Sequence, residues 1–266
     1  MFTKLLVLSP LLLSSLSPSV DAAPAAPRAA QTPAPVPDKR PEVEKILEKF
    51  KSHTEKKGVE DRDAIAVIDT GILPEFKNSG PKDRAAIVSA LAKVFDLRRA
   101  EEKEGVANVD LFIASAVALG EMGPESTKAL IAAIDNKNLK KLPAVRHRLI
   151  LSLGKTKDVK EGLEPLINLL QDKEATLVSA AAEALGEFAG ADLATRKKAF
   201  EALLKIVTSA KDNKDSNLND TIARDRYDAI ASSIVTTLGK LSKHDERDPD
   251  KWRDWWNKNK AKNWDA

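Results

Sequence analysis

The chain has 266 residues, 43 Lys and Arg against 40 Asp and Glu, a formal net charge of +3, and no cysteine. So small a basic excess, with acids and bases interleaved, gives no continuous stripe of the kind that follows a nucleic-acid backbone. Without cysteine there can be no disulfide and no lipid-attached N-terminal Cys, so stability rests on apolar burial.

Residues 1–22 read as a secretory signal. Lys4 supplies a short positive region, an apolar run follows to Leu16, and Val20 and Ala22 stand at the minus-three and minus-one places of a cleavage site. The run is shorter than the ~20 residues a membrane helix needs. An uncleaved anchor is the alternative. Residues 23–41 are rich in Pro and Ala and read as an extended tether.

The folded region is expected over 42–266, starting with a capping helix over 42–57 whose inner stripe is Val43, Ile46, Leu47 and Phe50. Residues 64–76 contain Ile68-Asp69-Thr70-Gly71. Such an Asp-Thr-Gly resembles the catalytic-Asp segment of subtilisin-like or aspartic proteases. The first would need a partner His and a nucleophilic Ser. The three histidines, His53, His147 and His244, lie in no Gly-rich motif. The second would need another Asp-Thr-Gly or Asp-Ser-Gly, which the chain lacks. The structural expectation is a helix with Ala64, Val67 and Ile68 inward, ending near Gly71. A further helix is predicted over 81–99, with Ile87, Leu91, Val94 and Phe95 inward, and a charged loop over 101–105.

From there a pattern repeats. Leu119-Gly120, Leu153-Gly154, Leu185-Gly186 and Leu238-Gly239 each follow an apolar residue by eight positions: Leu111, Val145, Leu177 and Ile230. That spacing puts both on one helix face. Ala118, Leu149, Ala181, Ala184 and Ile234 lie between, and the small ones permit close helix approach. Gly in a helix costs about 1 kcal/mol against Ala, so its recurrence asks for a packing reason. The Leu-Gly pairs follow at intervals of 34, 32 and 53 residues. A period of this size indicates a solenoid of helix pairs. The excess in the last interval is assigned to a polar loop over 209–221.

Second helices follow each pair. One carries Leu130, Ile131 and Ile134 after Pro124. The next carries Leu163, Leu166, Ile167 and Leu170, with Asp158 and Glu161 as a capping-box-like start and Pro165 either kinking it or marking its beginning. A third runs over 196–207 with Ala199, Phe200, Leu203, Leu204 and Val207.

Asp215, Asn217 and Asn219 match the first three odd places of an EF-hand loop, but Asp220 stands where Gly is needed and Arg226 where a bidentate Glu is needed, which defeats the motif. Asp248-Pro249 is a good helix start. Trp252, Trp255 and Trp256 then share a face, and Trp264 follows. They are expected to form a lid on the solenoid end; the alternative is an aromatic platform for a sugar or peptide.

Val145-Arg146, Leu153-Gly154, Asp158, Leu163, Pro165-Leu166 and Leu169-Leu170 resemble the HEAT-repeat consensus, including the short form of phycobilin lyases. Tetratricopeptide repeats have a similar period, but their Trp and Tyr positions are missing. The resemblance implies an all-α solenoid of about five antiparallel helix pairs. It has no fixed functional residues to carry over. The expected function is therefore a non-catalytic, extracytoplasmic bacterial scaffold that binds another protein. No cofactor, no metal, no nucleic-acid partner and no membrane span after signal removal are expected. The alternatives are an enzyme, either lyase-like or a hydrolase centred on Asp69, and a DNA-binding HEAT-like module.

Overall fold

A computed structural model describes residues 37–38, 40–98, 108–217 and 219–265. The signal over 1–22, most of the tether and the charged loop over 101–105 lie outside the described residues. Among those described there is no strand.

Helix α1 (Pro41–Thr54) comes first. Residues 61–77 follow as one continuous helical stretch: α2 (Asp61–Val67), a π turn (Ile68–Ile72) and α3 (Leu73–Lys77). Then come α4 (Pro81–Ala92), α5 (Asp110–Glu121), α6 (Thr127–Ile134), α7 (Pro143–Lys155), α8 (Leu163–Leu169), α9 (Ala175–Leu185), α10 (Leu193–Ser216), α11 (Thr221–Ser242) and α12 (Pro249–Asn259).

Two rows of helices form. In one, α2, α5, α7, α9 and α11 pack each on the next. In the other, α1 packs on α4, α4 on α6, α8 on α10, and α10 on α12. Cross-contacts of α6 with α7, α8 with α9 and α10 with α11 join the rows. The 61–77 helix packs on α4, α5 on α6 and α7 on α8 as successive pairs, with α1 ahead of them, and α10 packs on both α11 and α12 at the C-terminal end. This is the all-α solenoid that the repeat implies.

The Leu-Gly pairs set the spacing of the first row. A Cβ on Gly120 of α5 would lie 3.1 Å from the backbone of Ser152 in α7. One on Gly154 of α7 would lie 2.6 Å from the Ala184 carbonyl oxygen in α9. At Gly186, just after α9, it would lie 3.3 Å from Lys240 in α11. The stack is thus built on a ladder of small residues, each seating the next helix. Leu119, Leu153, Leu185 and Leu238 beside them are all fully buried.

Several sequence expectations are corrected. The helix over 64–76 does not stop at Gly71. It passes through the π turn, because Pro74 has no N–H for the Thr70 carbonyl and its ring would clash there in an α-turn. Gly71 instead admits α1: a Cβ would lie 3.2 Å from Ile46. The tether ends before residue 41. Asp38 accepts bonds from the backbone N–H of Lys82 (2.8 Å) and Asp83 (3.4 Å), so it caps α4, whose own preceding residue is Gly80. Arg40 pairs with Glu75, and its N–H donates to Asp83 at 3.1 Å. Pro165 lies in the first turn of α8, resolving its role as a start. Asp158 accepts from the N–H groups of Lys160 and Glu161 one turn earlier.

The loop expected over 209–221 is mostly helix. α10 runs to Ser216 and α11 begins at Thr221, so the long interval is absorbed by lengthening both helices. Polar composition hid a segment fastened by its neighbours. Lys211 bridges Asp215 and Asp250 of α12, both at 2.8 Å, and these carboxylates hold its ammonium above the usual lysine range. Lys214 sits 4.2 Å from the centre of the Tyr227 ring in α11.

The start of α10 gives a pH prediction. Asp192 caps it, accepting from the Thr195 N–H (2.9 Å) and hydroxyl (2.7 Å). Those bonds, the backbone one first, hold its carboxyl below the ordinary 3.8. A carboxyl lowered by folding stabilises above its unfolded value and loses that contribution as pH falls through its folded value. Asp192→Ala should therefore melt below the parent at pH 6, and the gap should close as pH drops below 3.8. Melting curves across that range check it.

Candidate functional site

The surface of a helical stack can act through its edges, its grooves and its end. The first-row edge at α11 is the most developed. Each earlier helix of that row is covered on its far side by the next, and among the described residues α11 has no such successor. Its outer side lines a groove of about 830 Å³ with Tyr227, Ala231, Val235 and Gly239 along its length. These lie four residues apart, on one helix face. Gly239 holds the ladder position, yet a Cβ there would meet only the His244 carbonyl oxygen, at 3.2 Å. Lys240, Lys243 and Arg247 rim the groove, with Asp245 and Glu246. Lys243 pairs with Asp265 at 2.7 Å. Glu246 accepts from the N–H groups of Asp248 and Arg247, which hold its carboxyl below the usual range.

The second row offers smaller grooves. One of about 390 Å³ separates α6 from α8 and is floored by Ile131, Ile134 and Leu169. Another of about 520 Å³ lies between α1 and α4, with Leu47, Ala90 and Leu97 in its walls.

Asp69 is exposed on the π turn. The strand that its protease likeness implies is not formed. It lines a cleft of about 610 Å³ with Leu73, Pro74, Phe76, Lys77, Arg84, Glu121 and Met122. None of the three histidines, and no serine, lines that cleft. His53 and His244 lie on other elements, near Glu60 and Trp255 respectively.

The EF-hand-like residues do not converge. Asp215 pairs with Lys211, Asp220 caps α11 through the Ala223 N–H, and Arg226 donates to the Asp172 and Lys173 carbonyls. Each is committed to fastening a helix.

The tryptophans form a lid around Phe200 of α10. Its ring centre lies 5.6 Å from Trp252, 5.4 Å from Trp255, 5.2 Å from Trp256 and 5.3 Å from Trp264. Trp252 is fully buried, and His244 stacks on Trp255 at 5.3 Å. Sequence reasoning missed what locks this lid: Arg196, only 1% exposed. It donates to the Leu241 carbonyl at 3.1 Å and pairs with Asp265 at the chain's end. Lys243 first, then Arg196, hold the Asp265 carboxyl below the usual range. The available signal was spacing. Arg196, Ala199, Phe200, Leu203 and Val207 follow one helical stripe, so a charge among them had to be buried and paired.

Among the described residues no helix is long and apolar enough to cross a membrane. No curated protein and no solved structure matches the chain significantly. Residues 127–217 match the family model for HEAT repeats. That match runs from the first residue of α6 to the residue capping the end of α10, across the close-packed centre of the ladder. Over residues 127–217 the chain carries HEAT repeats, within a scaffold of stacked helix pairs.

Proposed function

We propose that this scaffold is non-catalytic, works outside the cytoplasm of a bacterium, and holds a helix of another protein along the open edge of α11. The observation that carries the reading is Gly239. The same residue type at Gly120, Gly154 and Gly186 seats the next helix of the row, whereas Gly239 meets no helix, only the His244 carbonyl oxygen at 3.2 Å. A partner helix with a small side chain at the contact would extend the row by the same packing. Lys240 and Arg247 at the rim favour acidic residues flanking that contact. The extracytoplasmic part rests on the signal-like residues 1–22. The non-catalytic part rests on the lack of any complete catalytic set in the sequence. A hydrolase centred on Asp69 would need a proton-accepting partner, and the charged groups sharing its cleft are Lys77, Arg84 and Glu121.

The test is site-specific photo-crosslinking in the native host, with the probe at Ser232 in the groove or at Glu48 on α1. The expected result is one protein species captured from Ser232 and not from Glu48. It should be joined to a mature chain beginning at Ala23 and lost when Ala231→Arg fills the groove. Equal capture from both positions, or capture that survives Ala231→Arg, overturns the docking edge. A chain retained in the cytosol overturns the compartment.

A further inference from the structure

We propose that His53, Glu60 and Asp63 bind a late first-row divalent metal ion, with Zn²⁺ as the representative ligand. The backbone brings them together. α1 ends at Thr54, and Lys57 and Gly58, with φ of 53° and 104°, reverse the chain into α2 at Asp61. His53 in the last turn of α1 thereby faces Glu60 and Asp63 at the start of α2. One ligand atom from each side chain lies within 4.8 Å of the others.

Glu60 precedes α2 at the capping position, yet its side chain makes no cap bond. Its carboxylate instead lies 2.7 Å from His53 Nδ1. Asp63 is exposed and has no other partner among the described residues. An imidazole and two carboxylates thus converge beside solvent, an open path for an ion. Metal bonds of about 2.0–2.2 Å to N and O place the ligand atoms of a tetrahedral ion roughly 3.4 Å apart. Atoms already within 4.8 Å of one another are little more than 1 Å from that spacing. The carboxylate–imidazole bond is then the metal-free form of the site. Three protein ligands leave one position for water. The imidazole sets the class of ion: carboxylates alone suit Mg²⁺ and Ca²⁺, whereas imidazole favours Zn²⁺, Co²⁺, Ni²⁺ and Cu²⁺.

The experiment titrates the full chain with Co²⁺, followed by its visible absorption, and then displaces it with Zn²⁺. One equivalent should bind. His53→Gln and Asp63→Asn should each weaken binding at least tenfold, the lower end of what even outer-shell changes do to metal sites. His147→Gln, on α7, should bind as the parent does, and millimolar Ca²⁺ should not compete. Asp63→Asn alters an exposed side chain, so an unchanged metal-free melting curve shows that its fold is intact. No cobalt band, parent-like binding by His53→Gln, equal loss in His147→Gln, or displacement by Ca²⁺ overturns the site.

Discussion

Gly154→Ala should lower the melting temperature by about 5–10 °C, while Gly190→Ala leaves it nearly unchanged. Both replacements add one methyl group to a glycine in helical structure, and neither glycine has a positive φ. They differ in what the methyl meets. At Gly190 nothing lies within 4 Å. At Gly154 the new carbon would lie 2.6 Å from the Ala184 oxygen, 2.7 Å from its Cα and 2.8 Å from its Cβ. Two of those atoms are backbone, so no side-chain rotation relieves the clash, and α7 must move away from α9. Overpacking of this kind costs about 1–3 kcal/mol, against a gain of about 1 kcal/mol from the better helix former. Here the clash lies in the row itself and opens contacts along both helices, so the cost is placed above that range, at about 3–4 kcal/mol, and a net loss of about 2–3 kcal/mol is expected. At about 2–4 °C per kcal/mol for a domain of this size, the shift above follows. The shape of the transition should change as well. In a solenoid each unit leans on its neighbours, so weakening one junction lets the two sides melt separately. Tryptophan emission reports only the C-terminal side, and circular dichroism reports the whole chain. A single coincident transition at the parent temperature would show that Gly154 sets no spacing.

The ladder was legible in the sequence because it is local and periodic. Leu153 and Gly154 with Val145 eight residues earlier suffice to fix a face and a small contact. What composition concealed was held by partners distant in the chain. Residues 209–216 are polar enough to read as loop, and they are helical because Asp250 reaches Lys211 from α12 and Tyr227 lies under Lys214. The π turn at Ile68–Ile72 escaped a reading that ended the helix at Gly71, although Pro74 marks where an ordinary turn must widen. Asp38 lies in a Pro-rich stretch typical of a tether, and only the fold places its carboxylate on the start of α4. α9 is buried on almost every side between α7, α11 and α8, so its alanines show no narrow stripe. The α11 groove and the His53 cluster are juxtapositions of faces and turns, which hydrophobic spacing does not encode.

Phe200→Ala should detach the tryptophan lid before the rest of the stack unfolds. Phe200 is fully buried, and its ring touches all four tryptophans. Truncating a buried Phe costs about 3–5 kcal/mol, and part of that loss is the cavity the neighbours cannot close. Three of those neighbours sit on α12, which packs chiefly on α10, so the loss falls on one contact between two helices. The polar fastenings that remain include Lys211 to Asp250, Arg253 to Asp212, Lys197 to the Lys262 carbonyl and the Arg196–Asp265–Lys243 group. Asp250 and Asp265 are partly exposed, and ion pairs in water hold little. The lid should therefore melt as its own unit. Tryptophan emission should shift to longer wavelength at a midpoint well below that of the far-ultraviolet circular dichroism signal, which α1 to α9 dominate. A lid buried on Phe200 and a platform displayed to solvent give opposite results here. Platform rings would already emit as exposed tryptophan, and Phe200→Ala would leave their spectrum unchanged. Emission and dichroism midpoints that stay together would mean that α12 is held by its charges. Mutating Lys211 or Arg196 would then be expected to release it where Phe200→Ala had not.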